Sequence, residues 1–415
     1  MTANVASASD LHDDQVVALL RSGAHAALLI AYFGEREYRE LSQLARLAAT
    51  RRNPRGRLVF ILPGVMGSRL ASMQRRATQL IWVHPAAIGE GALANLALPG
   101  ARSIRALGVM LPGYLKLKLS LEVAGFRPMF HAFDWRLDLE TLARGFMRAV
   151  EGAGKNKTLV VAHSMGGLVA RAALALDKRR RIGRLVQIGA PNAGSFAPVQ
   201  ALRAAYPTVR KIAALDHTTS ADELARRVFL SLPGLYQMLP SPDAHNDLFD
   251  VHRWPNDGFA PNARMLARAR RVRERLPTAD ARCRVIVGTH QETVVDARRT
   301  DRGFEYEIRR AGDGTVPSVR AHWAGAPTWY IAENHGALTQ NDIVLAALAD
   351  LLLGGDTTRL GAQEPPATAE VVRTITDAEL RTRATTKVRW DQLSIESRRR
   401  ILDPVITSEF EAPGG

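Results

Sequence analysis

Apolar residues follow two different spacings along this chain. Over residues 14–20 and 26–49 they recur every third or fourth position, with Glu35, Arg36, Glu37 and Arg39 on a polar face. That spacing predicts helices forming a hairpin docked on a core, or an apolar stretch lying on a membrane surface. Short, mostly apolar runs come next, at residues 58–62, 128–133, 158–162, 284–288 and 328–332. Runs of this length predict strands buried on both faces. Helical patterns near residues 114–123 and 341–353 fall between and after them. Strand and helix in alternation predict an α/β fold with a mostly parallel central sheet flanked by helices. Residues 293–297 and 304–309 alternate apolar and polar side chains, as a small hairpin would. The stretch around Ile81 and Trp82 reads as a long loop.

The rhythm breaks between residues 196 and 280, which read as mostly helical around the apolar, proline-punctuated Leu232-Pro-Gly-Leu-Tyr-Gln-Met-Leu-Pro240. The expected organisation follows: an N-terminal helical segment (1–50), a core in two pieces (51–195 and 281–355), an inserted helical cap (196–280) and a polar C-terminal appendage (356–415). Short helices are expected there near residues 377–383 and 391–402.

The third strand run ends in Ala162-His163-Ser164-Met165-Gly166-Gly167 and opens into an apolar helix. Ala-x-Ser-x-Gly at a strand-to-helix turn is the nucleophile elbow of an α/β-hydrolase. The turn is tight enough that positions two before and two after the serine must be small, as Ala162 and Gly166 are. The N-terminus of the next helix favours negative charge beside the serine.

A serine nucleophile needs a base and an acid, which in this fold follow it in the order acid, then histidine. Asp313 sits between Gly312 and Gly314 in a sharp turn, and His335 follows the last strand run. His84, His131 and His290 precede the acid, His322 follows it too closely, and His163 is expected to point away from Ser164. Ser164, Asp313 and His335 are therefore the expected triad. The oxyanion of an acyl-transfer intermediate requires backbone donors. Met165, directly after the nucleophile, supplies one. The glycine-flanked loop after the first strand run, Pro63-Gly-Val-Met-Gly-Ser68, supplies the other at Val65. Met66, Leu235, Tyr236, Met238 and Leu239 are the candidate substrate-pocket residues. Asp134 and Arg136 lie at an early strand end and read as a structural ion pair. This chemistry needs neither metal nor cofactor.

Six motifs now stand in a fixed order: Leu62-Pro-Gly-Val-Met-Gly-Ser68, Phe133-Asp-Trp-Arg136, the Ser164 elbow, Ala190-Pro-Asn-Ala-Gly-Ser195, Leu235-Tyr-Gln-Met-Leu-Pro240 and Gly312-Asp-Gly-Thr-Val-Pro317. Together, over about residues 57–350, they resemble the lecithin:cholesterol acyltransferase family, which includes lysosomal phospholipase A2. The resemblance implies an α/β-hydrolase that moves an acyl group from a lipid ester onto a serine and then to water or an alcohol. It implies the same triad and the same oxyanion donors, Val65 and Met165. The animal members are secreted and use disulfides to restrain their lid and membrane-binding segments. This chain has one cysteine, Cys283, so that machinery and sterol acylation are not carried over.

Composition adds compartment and partners. A 46% hydrophobic content is enough for a large buried sheet, and a single cysteine, read as apolar filler, suits a reducing compartment. Residues 22–34 lack Asp, Glu, Lys and Arg but are too short to span a bilayer. The N-terminus has no early positive charge of the kind a signal peptide carries. The expectation is a cytoplasmic protein. The net charge of +15 comes almost wholly from arginine. It reads either as compositional bias or as attraction to an anionic membrane surface; no zinc spacing, helix-turn-helix or RNA-binding motif supports nucleic acid. Oligomeric state is open. The expected function is a serine-dependent lipid-ester hydrolase of lipase, phospholipase or esterase type. The alternatives are an O-acyltransferase with the same residues and a non-catalytic lipid-binding or scaffold protein.

Overall fold

A computed structural model describes residues 11–74, 77–100, 104–243, 246–366 and 371–382, with a few positions between 387 and 397. Helices α1 (Asp13–Ser22), α2 (Ala26–Phe33) and α3 (Glu35–Thr50) open the chain. The single helical pattern of residues 26–49 is cut in two at Gly34, whose φ of 92° is a conformation only glycine adopts at low cost. Then come β1 (Leu58–Leu62), β2 (Ser68–Gln74), β3 (Ala77–Trp82), α4 (Pro85–Gly89), β4 (Ile104–Val109), α5 (Leu111–Val123) and β5 (Arg127–Phe130). The nucleophile region contributes α6 (Leu139–Gly152), β6 (Thr158–His163), α7 (Met165–Leu176) and β7 (Ile182–Ile188).

Residues 196–280 hold α8 (Ala197–Leu202), α9 (Pro207–Leu215), α10 (Ala221–Arg227), α11 (Pro233–Tyr236) and α12 (Ala263–Glu274). After them come β8 (Cys283–Thr289), the hairpin β9 (Gln291–Thr300) and β10 (Gly303–Gly312), α13 (Ser318–Ala321), β11 (Thr328–Ala332), α14 (Asp342–Leu353), β12 (Val371–Thr376) and α15 (Asp377–Thr382).

Six strands form one parallel sheet in the order β11-β8-β7-β6-β1-β5. All five positions of β1 are buried, and successive side chains go to opposite sides. Leu58, Phe60 and Leu62 pack with α6, α7 and the helices of 196–280, whereas Val59 and Ile61 pack with α1–α3, α5 and α14. This is the sandwiched parallel sheet that continuous apolar strands require. The N-terminal helices are docked on it: Val16, Leu20, Leu29 and Phe33 are buried in the second cluster, and Lys118 Nζ meets Asp13 at 2.7 Å. No helix among the described residues is long and apolar enough to cross a membrane.

Two expectations are corrected. Residues 68–109 are not a long loop, because β2, β3 and β4 make a three-stranded antiparallel sheet. Strands β2 and β3 draw about half their residues from Ala, Ser, Thr and Gln, and β4 is interrupted by Arg105 and Gly108, so apolar alternation is faint in the sequence. The C-terminal region is not wholly an appendage either. Strand β12 pairs with β10, and Asp377 at the start of α15 is fully buried. Most of the helix expected near 391–402 lies outside the described residues.

Candidate active site

The chain leaves β1 for β5 on one side and then places β6 on the other. The crevice beyond the C-terminal ends of β1 and β6 is therefore the topological switch point, where open parallel sheets bind ligands. Ser164 stands there, with φ 53° and ψ −125° between the last residue of β6 and the first of α7. Its N–H donates to the Ile188 carbonyl at 2.9 Å, and its own carbonyl accepts from Gly167 N–H at 2.9 Å. The absence of a side chain at Gly166 is what lets α7 close on β1. A Cβ there would lie 2.5 Å from the Pro63 carbonyl oxygen and 2.8 Å from that of Leu62.

The loop after β1 is braced by two tryptophans for which the sequence suggested no role. Trp82 Nε1 donates to the Met66 carbonyl at 2.7 Å, and Trp135 Nε1 donates to the Ser68 carbonyl at 3.1 Å. A Cβ on Gly64 would sit 2.9 Å from Ser164 Cβ, so this loop packs directly over the serine.

Asp313 follows β10 in its glycine-flanked turn. Oδ1 accepts from the N–H groups of Thr315 (2.9 Å) and Val316 (2.7 Å), leaving Oδ2 to His335 Nδ1 at 2.7 Å. The backbone adds a second tie, His335 N–H to the Asp313 carbonyl at 2.7 Å. Both side chains are buried. Close approach again depends on glycine: a Cβ on Gly288 would lie 2.6 Å from Asp313 Cβ. With the carboxylate on Nδ1, that nitrogen carries the proton and Nε2 is the free acceptor.

Ser164 and His335 line one cavity, together with Val65 and Met66. Of the other expected pocket residues, Leu235 and Met238 line it. Tyr236, the last residue of α11, and Leu239, in the turn after it, are buried but do not line it. Tyr236 is held there by donating to the Leu230 carbonyl and accepting from Asn262 N–H. Helix α8 contributes Ala197, Pro198 and Ala201, small residues with no signal in the sequence. Ser195 and Thr315, also on the cavity wall, end or sit within motifs already quoted. Tyr206 and Thr208 complete a hydroxyl-bearing patch. Tyr206 bonds to Thr208 and Thr315, and burial pushes its phenol up to about 12, so it stays protonated.

Asp134 and Arg136 lie apart from this cavity and form the expected structural pair, with contacts of 2.8 and 2.6 Å. Cys283 is buried at the start of β8, with its thiol pushed up to about 11 by burial.

Comparison with curated protein sequences finds no match. Among solved structures, the chain is similar to the Tle4–Tli4 complex (14% identity, 72% of this chain and 98% of that one, TM-score 0.47). It is also similar to the mature lipase BlEst2 of Bacillus licheniformis (11% identity, 72% and 94%, TM-score 0.39). A third similarity is to the phospholipase PlaB of Legionella pneumophila (13% identity, 85% and 64%, TM-score 0.34). The lecithin:cholesterol acyltransferase family model matches residues 113–300. That span contains the Ser164 elbow, begins after the 63–68 loop and ends before Asp313 and His335. The parallel sheet order is that of an α/β-hydrolase fold, and residues 113–300 of the chain are similar to the lecithin:cholesterol acyltransferase family.

Proposed function

We propose that the chain is a serine-dependent lipid-ester hydrolase in which Ser164 is the nucleophile, His335 the base and Asp313 the acid. One observation carries the reading: Ser164 and His335 open on the same cavity while a buried carboxylate holds the far nitrogen of that histidine at 2.7 Å. Nε2 of His335 takes the Ser164 hydroxyl proton as Oγ bonds to the ester carbonyl carbon. The carbonyl oxygen becomes an anion held by the N–H groups of Val65 and Met165, and Asp313 stabilises the imidazolium. Collapse breaks the bond to the alcohol, which leaves with the proton from His335. Water then attacks the acyl-serine, again giving its proton to His335. Release of the acid returns that proton to Ser164.

Residues 196–280 act as the cap. Leu235, Met238, Pro198, Ala197 and Ala201 give an apolar wall suited to an acyl chain. The cavity beneath has about 40 Å³ of free space. That is room for a few water molecules and far less than the ~300 Å³ or more of a typical ligand site. Substrate entry therefore requires the cap to shift. The family match also favours a second reading of the same acyl-enzyme, transfer to an alcohol in place of water.

The test is active-site labelling with a fluorophosphonate, followed by mapping of the modified residue, together with turnover of a short-chain aryl ester by Ser164→Ala. Label on Ser164 and loss of turnover in a folded variant are expected. Undiminished turnover overturns the proposal. Free acid against transferred ester, measured with added alcohol, separates the two fates of the acyl group.

A further inference from the structure

We propose that Tyr114 and His163 are positioning residues, joined in a single hydrogen-bonded chain that sets the oxyanion loop against the loop carrying the base. The inference rests on the function proposed above.

The chain has three links. Gly64 N–H donates to the Tyr114 hydroxyl oxygen at 2.8 Å. The same hydroxyl lies 2.9 Å from His163 Nδ1. His163 Nε2 lies 3.0 Å from the backbone carbonyl oxygen of His335. Chemistry fixes the direction of every link. A carbonyl can only accept, so His163 Nε2 carries the ring proton. In a neutral imidazole Nδ1 is then an acceptor, and the Tyr114 hydroxyl must donate to it. That hydroxyl has one proton, so its oxygen is left to accept from Gly64. No proton in the chain is free to choose another partner.

Both rings are buried. Burial holds His163 well below the usual histidine range, which agrees with the neutral tautomer the hydrogen bonds demand. Neutrality matters at this place. The His163 ring centroid is 4.7 Å from that of His335, at 41° between planes. A second cation there would oppose the imidazolium that His335 must form in the transition state.

The ends of the chain give it a role. Gly64 immediately precedes Val65, the proposed oxyanion donor, and the other end is the backbone of the proposed base itself. His163 immediately precedes the nucleophile. One linkage thus ties together backbone at the base and immediately beside the nucleophile and the oxyanion donor, without either side chain being a lining residue of the cavity. Misplacement of such groups by about 1 Å costs on the order of 10²-fold in rate.

The experiment compares Tyr114→Phe, His163→Leu and His163→Gln with the native chain and with Ser164→Ala. Active sites of the chains that keep Ser164 are counted by fluorophosphonate titration, so that kcat refers to folded molecules, and Ser164→Ala is referred to total folded protein. Tyr114→Phe keeps the ring but strands Gly64 N–H and His163 Nδ1. His163→Leu removes both contacts, whereas His163→Gln retains a donor and an acceptor. Expected on a soluble aryl ester is a fall in kcat of about 10- to 100-fold for the first two, with KM changed less than about twofold. His163→Gln recovers most of that loss. Native kcat per active site in both Tyr114→Phe and His163→Leu overturns the inference and leaves ordinary core packing. A His163→Gln no better than His163→Leu also overturns it, and that comparison stands even if Tyr114→Phe does not fold. Ser164→Ala separates the two levels: full activity there sinks the proposed function, whereas an inactive Ser164→Ala beside an unimpaired Tyr114→Phe sinks only the linkage.

Discussion

His335 Nδ1 lies 2.7 Å from Asp313 Oδ2, and each residue is only 2% exposed. The carboxylate cannot swing away, because its other oxygen accepts two backbone N–H groups from Thr315 and Val316. In the proposed mechanism this pair decides which nitrogen of His335 faces the serine. Asp313→Asn preserves shape but can turn an amide N–H toward Nδ1, which favours the wrong tautomer. Its kcat should fall by about 10⁴-fold, with the melting temperature close to native. Steady-state kinetics and a thermal melt check this, and a fall of less than tenfold would remove Asp313 from the acid's role.

A second prediction concerns pH and stability. His131 packs between Phe60 and Phe146, with ring centroids 6.4 and 5.0 Å away, and burial lowers it to about 4. An unfolded chain protonates this histidine near 6.5. Between those values the unfolded state binds the extra proton and the folded state does not. Stability from neutral His131 is therefore full above about pH 6.5 and is lost as pH falls toward 4. His131→Phe fits the same aromatic site without a titrating group. Relative to that variant, the native chain should lose about 1–2 kcal/mol between pH 7 and pH 5. Urea unfolding of both proteins at the two pH values measures it, and parallel curves would rule the effect out.

What the sequence made legible follows from how strongly each region obeys local rules. The strands preceding Ser164 and His335 are short, apolar and end abruptly at turns. Asp313 is flanked by two glycines, and Gly314 takes the positive φ of 91° that the turn needs. Those features are written in neighbouring residues, so the strand-end location of all three could be read directly. Strands β2 to β4 could not, because their alternation is carried by small and polar residues. Tyr206 and Thr208 had no local mark either, since only a long-range contact, Tyr206 with Thr315 of the 313–317 turn, brings that patch together at the cavity. Tyr236 and Leu239 show the reverse error. They share an apolar run with Leu235 and Met238, but the short helix α11 and the turn that follows it give only part of that run to the cavity. The chain from Gly64 through Tyr114 and His163 to His335 joins four distant positions and has no counterpart in any spacing.

The C-terminal region was the least legible, and it carries the last prediction. Arg203, at the end of α8, has no exposed side-chain surface. Its Nε donates to Asp377 Oδ2 at 2.7 Å, and its two terminal nitrogens reach Asp257 at 2.7 and 2.6 Å. Asp377 also accepts from the Tyr306 hydroxyl at 2.6 Å and from Phe304 N–H at 2.9 Å. The carboxylate thus ties α15 to β10 and to the proposed cap in one buried cluster. Asp377→Ala leaves a fully buried guanidinium with half its compensation and two donors without a partner. It should cost about 3–5 kcal/mol of unfolding free energy, measured by urea denaturation. Arg203→Met with Asp377→Leu removes both charges and substitutes apolar volume. That double variant should lose clearly less than the sum of the two single changes, because neither charge is left buried alone. If Asp377→Ala cost under about 1 kcal/mol, water would have to reach Arg203 readily, and the C-terminal segment would not be holding the cap in place.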